Sequence, residues 1–400
     1  MDTRLKNSKV EVSQNDQNVV TLLSKLVAFD TTSRESNLAL INYCADYLKI
    51  YGIDTTLVKN AEGTKANLWA TIGPHVDGGL VLSGHTDCVP VDGQEWSTPP
   101  FEVTERGERL YGRGTADMKG FLACALHLVP EFAAMNLTKP VHLAFSYDEE
   151  VGVLGVRDLL SYVAEKRVRP GFCVVGEPTS MDVVNGHKGG RLYECVVSGL
   201  EAHSSLTPKG VNAIQFGAQV ISHIARVASD LESGGEIDVD FDVPYSTLST
   251  GIVSGGTAGN IIPSECKFIF EMRNLPDADQ DEIFGRVEQF AREVLVPQMK
   301  RVSDSCNIHF RKIVSYPGHN ISPDHPMVSR AMELLGCCTN RKVAFGTEAG
   351  LFQQYLKLPT IVCGPGDIGV AHKPDEFVPI PDLIRCVQFL RSMGTTLCQQ

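Results

Sequence analysis

Three short apolar runs, GLVLSGHTD, VHLAFSYDEE and FCVVGEPTS, each break off in His, Asp or Glu, and helical stretches separate them between about Val19 and Ser180. Short apolar runs without strict alternation suit strands covered on both faces, the condition inside an α/β sheet with helical crossovers. A fourth run, LPTIVCGPGD, repeats the pattern after a long interruption. In open α/β sheets ligands bind beyond the carboxyl ends of the strands. Those ends carry His85, Asp87, Asp148, Glu149, Glu150 and Glu177, so imidazoles and carboxylates are expected along one edge.

The interruption has its own order. A strand at RLYECVVSG precedes a helix at VNAIQFGAQVISHIARVASDL, in which Ile214, Ala218, Ile221, Ala225 and Ala228 form one apolar stripe. Two strands follow, STLSTGIVSG and ECKFIFEMR. A second helix is expected from near Asp277, with Gln280 as its capping-box partner, and the strand CNIHFRKIVSY ends the segment. The order β-α-β-β-α-β is that of a ferredoxin-like module. The expected organisation is therefore a catalytic domain in two parts, 1–188 and 316–400, around an insertion at 189–315. A chain of 400 residues is long enough for both cores.

Composition excludes some functions. A formal net charge of -12 and the lack of a Lys/Arg-rich segment argue against nucleic acid as partner. The opening MDTRLKNSKVEVSQNDQ contains no apolar stretch, and the run from Phe121 to Val129 is far too short to span a bilayer. A cytoplasmic protein without a membrane partner is expected. The twelve cysteines are scattered without a CxxC, and only Cys337 and Cys338 are adjacent, so reduced thiols are expected rather than disulfides or a zinc ribbon.

In GHTDCVP, His85 and Asp87 alternate at a strand end, so both side chains lie on one side. Such a pair can place a metal-ligating imidazole beside a carboxylate able to accept its other N–H; alone, it more often describes an incidental His and Asp. Asp117, in YGRGTADMKG, stands in a glycine-flanked loop ahead of a helix, where it can either cap the helix or offer one oxygen to each of two cations. The acidic triplet of SYDEEVG can be a solvated surface or a ligand and base side by side, since partly buried like charges need compensating cations. Glu177 in VVGEPTS and His372 in VAHKPDE complete a donor count sufficient for two divalent ions.

The ordered string GHTD, GRGTADMKG, DEEVG, GEPTS, AHSS, GGTAGNIIP, GTEAG and AHKPDEF resembles the M20 metallopeptidase family, over nearly the whole chain after the first fifteen or so residues. GTEAG and HKGG are most similar to its acetylornithine-deacetylating branch. The resemblance implies a metal-dependent exopeptidase-like α/β catalytic domain carrying a ferredoxin-like α+β lid. It implies that His85 and Glu177 hold one cation, that Glu150 and His372 hold the other, that Asp117 bridges them through a residue whose following peptide bond is cis, and that Glu149 is the general base. Two Zn²⁺ or Co²⁺ ions suit that set of imidazoles and carboxylates. His203 is implied to face the oxyanion from the lid of a partner subunit in a homodimer, with Asn260 and Arg273 meeting the substrate; without the resemblance Arg273 reads as a surface charge. Glu348 in GTEAG is a candidate acceptor for a distant substrate ammonium, or else a solvated or capping group. The expected activity is removal of acetyl from N2-acetyl-L-ornithine. Other acyl amino acids, succinyl-diaminopimelate and dipeptides are alternative substrates, and a non-catalytic metal-binding protein is a third class, although Glu149 and all five ligands are present.

Overall fold

The computed structural model describes residues 14–166, 169–336 and 341–398; most of the opening segment and the Cys337–Cys338 pair lie outside them. The chain divides into two compact units, one comprising residues 1–185, 321–341 and 347–400, the other 186–320 and 342–346. The short piece 342–346, expected within the closing catalytic segment, joins the second unit because Lys342–Val343 pairs in parallel with Gly186–His187.

In the first unit six strands form one sheet in the order Thr55–Lys59, Ala66–Ile72, Val141–Ser146, Leu80–His85, Phe172–Pro178, Thr360–Gly364. The last four run parallel, and the first two are antiparallel additions. Those four are the expected apolar runs, and every residue in them is buried, which explains why they show no polar alternation. Helices Gln14–Val27, Gly120–His127 and Ile380–Cys398 pack together on the sheet, and Val156–Glu165 packs with Ala349–Leu356. The apolar run from Phe121 is thus part of a buried helix, and no described helix is long and apolar enough to cross a membrane. Phe121 lies so close to Gly176 that a Cβ there would sit 1.9 Å from its ring. Every described cysteine is a buried free thiol.

The second unit contains an antiparallel four-stranded sheet in the order Thr247–Gly255, Glu265–Asn274, Gly189–Ser198, Asn307–Tyr316. With helices Ala213–Gly234 and Gln280–Phe290 in the intervening connections, this is the split β-α-β arrangement of a ferredoxin-like fold. Two local expectations need correction. The first helix buries Ala213, Gly217, Val220, Ile224 and Val227, whereas Ile214, Ala218 and Ala225 are exposed. Both sets obey one helical spacing, and the set with larger branched residues meets the sheet. The second helix begins at Gln280 with Asp279 as its cap, accepting from the amides of Asp281 and Glu282 at 2.8 and 3.2 Å. Gln280 caps nothing, because its amide group donates to Asn274 Oδ1 and the Tyr316 carbonyl.

Candidate metal centre

The parallel strands deliver their polar ends to one place. His85 is the last residue of its strand, Glu177 the penultimate residue of the next, and Glu149 and Glu150 follow the strand ending at Ser146. Asp117 lies in the turn before helix Gly120–His127, with the Asp117–Met118 bond cis as expected. His372 comes from the loop after Gly364, in a left-handed backbone conformation at φ 63°.

Asp117 stands between the two histidines. Its Oδ1 is 3.0 Å from His85 Nε2 and its Oδ2 is 3.2 Å from His372 Nε2. His85 Nε2 also faces Glu177 Oε1 at 3.8 Å, and His372 Nε2 faces Glu150 Oε2 at 3.0 Å. One carboxylate oxygen thus points into each of two nitrogen–oxygen clusters. Ligand atoms of His85, Glu149 and Glu177, and likewise of His85, Asp117 and Glu150, lie within 4.8 Å of one another.

Electrostatics separates these carboxyls. Burial raises the pKa of Asp117, but hydrogen bonds from His372 and His85 outweigh it and hold the group below the ordinary carboxylate range. Burial, reinforced by neighbouring carboxylates, pushes Glu149 and Glu177 well up and Glu150 to about 7. Hydrogen bonds to Asp117 and Glu150 carry His372 to about 10. Glu150 Oε1 and Glu177 Oε1 are buried without a hydrogen-bond partner. Four acidic groups with two orphaned oxygens form an arrangement that cations would satisfy, and the oxygen and imidazole donors suit divalent ions without thiolate.

Asp87 does more than the sequence indicated. The acceptor nearest His85 Nδ1 is the Asp87 carbonyl, at 3.0 Å, while the Asp87 carboxylate is 3.5 Å away. That carboxylate accepts from the backbone amides of Glu149 and Glu150 and from Ser33 Oγ. It therefore fixes the acidic turn as well as standing beside the imidazole. Asp148, the first acid of the triplet, pairs with Lys65 instead of joining the cluster.

Glu348 is neither solvated nor a side-chain cap. It is 1% exposed, and its two oxygens accept from Ser83 Oγ, at 3.0 Å, and from Ser146 Oγ. Sequence reasoning missed the buried pair Arg113–Glu376, which meets the backbone at Asp117; charged residues inside GRG and PDEF were its only signal.

In the second unit, His203 lies on a two-residue strand, Ala202–His203, paired with Ile261–Ile262 rather than on the sheet's first long strand. This pairing brings Asn260 alongside, its carbonyl accepting from Ser204 N at 3.0 Å. His203 is exposed, and its Nδ1 accepts from Ser205 N at 3.2 Å, so in the neutral ring the proton resides on Nε2. Arg273 bonds Glu271 at 2.6 Å and the Tyr316 hydroxyl. Lys188, in HKGG, is buried and donates to the Tyr245 carbonyl at 2.6 Å.

Residues 81–395 match the model of peptidase family M20/M25/M40. Acetylornithine deacetylase of Proteus mirabilis is 36% identical over 353 residues, covering 88% of each chain. The enzyme of that name from Yersinia pseudotuberculosis is 35% identical over 378 residues, covering 93% of this chain and 94% of its own. Among solved structures, an M20 family metallo-carboxypeptidase from Sulfolobus solfataricus superimposes with a TM-score of 0.74 at 20% identity, covering 94% of this chain and 98% of that one. A dinuclear metal-binding M20 peptidase from Bacillus subtilis gives 0.63 at 16%, covering 96% and 98%.

Proposed function

Because this chain belongs to peptidase family M20/M25/M40 and is a metal-dependent hydrolase of amide bonds, we propose that it removes the acetyl group of N2-acetyl-L-ornithine, giving ornithine and acetate. The observation that carries the chemistry is the placing of Asp117 Oδ1 toward His85 and Oδ2 toward His372. His85 and Glu177 would hold one cation, Glu150 and His372 the other, with Asp117 shared. When bound, two Zn²⁺ or Co²⁺ ions supply positive charge that polarises the amide carbonyl and acidifies water.

The chain's own groups do the rest. Glu149, raised by burial and by Glu177, takes the proton of the attacking water on a carboxylate oxygen and returns it to the departing nitrogen. Asp87 keeps Glu149 and Glu150 in register with His85 through their amides. His203 Nε2–H is a donor suited to the carbonyl oxygen as it gains charge, and Arg273 and Asn260 orient the substrate, Arg273 as the partner of an α-carboxylate.

A homodimer supplying His203 in trans is supported by the edge strand Thr247–Gly255, where Ile252 and Val253 are 61% and 62% exposed. A cytoplasmic place in arginine biosynthesis follows from the substrate. The names of relatives at 35–36% identity support the acetylornithine assignment over a dipeptidase reading. A panel of acetylornithine, acetylmethionine, succinyl-diaminopimelate and dipeptides, assayed after chelation and after adding back Zn²⁺ or Co²⁺, tests it. Acetylornithine should give the highest kcat/KM, and only with metal present. A preference for any other member of the panel would overturn the substrate assignment, and full turnover without metal would overturn the mechanism.

A further inference from the structure

Arg113 and Glu376 are 0% and 1% exposed, and besides each other they bond the backbone near two of the candidate ligands. Glu376 Oε2 receives Arg113 Nη1 at 2.7 Å, while Oε1 accepts the amides of both Ala116 and Asp117, at 3.0 and 3.1 Å. The other arm of the guanidinium, Nη2, donates to Gln94 Oε1 at 2.6 Å, and Nη1 reaches the Lys373 carbonyl at 3.3 Å. Gln94 Nε2 donates in turn to the carbonyl of His372 itself, at 3.0 Å, and Trp96 Nε1 donates at 3.0 Å to the same Gln94 Oε1 that accepts Arg113. The guanidinium also lies over the Trp96 ring, 5.0 Å from its centroid. A single network therefore grips the backbone at Asp117 at one end and at His372 at the other, while His85 and Glu177 are held by their own strands.

A buried ion pair generally adds little net stability over an apolar replacement, whereas a planar fork with fixed donor directions defines geometry well. We propose that Arg113, Glu376 and Gln94 are positioning residues that set the distance from Asp117 to His372, and thereby tune the Glu150–His372 cation site selectively over the His85–Glu177 site. The inference rests on the two-cation reading above. Lysine at position 113 keeps the charge but loses the fork. Glutamine at 376 keeps an amide-accepting oxygen but loses the charge that orders Arg113.

The test is Zn²⁺ stoichiometry and affinity, measured by chelator competition on wild type, Arg113→Lys, Glu376→Gln and Gln94→Ala, with thermal melting to confirm folding. Wild type should bind two equivalents; binding of fewer would overturn the two-cation reading itself. Given two, Arg113→Lys should hold one equivalent as wild type does and the second roughly 10–100-fold more weakly, the range seen when groups supporting metal ligands are altered. Glu376→Gln, which also loosens the amide of the shared Asp117, should weaken that same equivalent more than the other. Their kcat should recover as Zn²⁺ is raised. Gln94→Ala, which leaves the ion pair in place and serves if the other variants fail to fold, should weaken the same single equivalent by a smaller factor. Combining Gln94→Ala with Glu177→Gln should impair both sites. Two unweakened equivalents, or equal weakening of both, would overturn the positioning role.

Discussion

The carboxylate of Asp87 accepts the backbone N–H groups of Glu149 and Glu150, at 3.1 and 3.3 Å, so the residue two positions after His85 also aligns the acidic turn of the neighbouring strand. An acceptor for two amides cannot be replaced by a group that donates on one side. Asp87→Asn should consequently lower kcat and metal affinity together, roughly 10–100-fold, because one amide of the turn then meets an NH₂ group. Kinetics and metal titration of the same preparation check this. A loss confined to His85-side metal affinity, with Glu149 chemistry intact, would limit Asp87 to orienting the imidazole.

Glu149 and Glu150 are adjacent in sequence but face different partners. Glu150 Oε2 lies 3.0 Å from His372 Nε2, whereas Glu149 groups with His85 and Glu177. Glu149→Ala should keep two equivalents of metal and lose roughly 10²–10⁴-fold in kcat, the range of a general base. Glu150→Ala should lose the second equivalent, and Asp117→Ala should impair both. If titration showed Glu149→Ala to be the metal-deficient variant, the two roles would have to be exchanged.

The strand ends were legible because a strand buried on both faces can be read directly as an uninterrupted apolar run, and the ligand-bearing residues stand where those runs stop. Facing direction was less legible. In helix Ala213–Gly234 two candidate stripes differ by one residue, about 100° of rotation, and only the sheet beneath selects Val220, Ile224 and Val227. Partnerships between distant segments carried no sequence signal beyond the charges themselves. Arg113 and Glu376 are 263 positions apart, and each alone reads as an ordinary surface charge. The same holds for Glu348 and its serines, 265 and 202 positions away.

His142 gives a pH dependence separable from the metal centre. It is 2% exposed, stacks on Trp69 at 4.7 Å, and shares a 3.0 Å hydrogen bond between Nδ1 and Thr71 Oγ1. Burial, assisted by His75, depresses its pKa from 6.5 to about 4. Since the unfolded state takes up the proton first, the stability contributed by the neutral ring is complete above pH 6.5 and is lost as pH falls toward 4. The change amounts to about 3 kcal/mol. Urea melts across this range should show a shallower decline for His142→Asn than for wild type. Parallel curves would mean that the imidazole titrates normally in the folded protein.

Glu348 tests whether burial or sequence motif better predicts a role. Both of its oxygens take serine hydroxyls from the strands leading to His85 and to Glu149, and the residue is 1% exposed, so these hydroxyls and the burial favour a structural role over contact with a substrate side chain. Its influence should then pass through the sheet rather than through the substrate side chain. Glutamine at this position turns one acceptor into a donor and forces Ser83 or Ser146 to reverse its hydroxyl, a loss on the order of 1–3 kcal/mol for a buried hydrogen bond. Glu348→Gln is expected to lower kcat/KM for acetylornithine and acetylmethionine by the same factor, and to lower the melting temperature. A loss on acetylornithine at least tenfold greater than on acetylmethionine, about 1.4 kcal/mol of selective discrimination, would restore the carboxylate to recognition of the distant ammonium. In that case the hydroxyls of Ser83 and Ser146 would compete with the ammonium for the carboxylate, and Ser146→Ala should improve, rather than impair, the KM for acetylornithine.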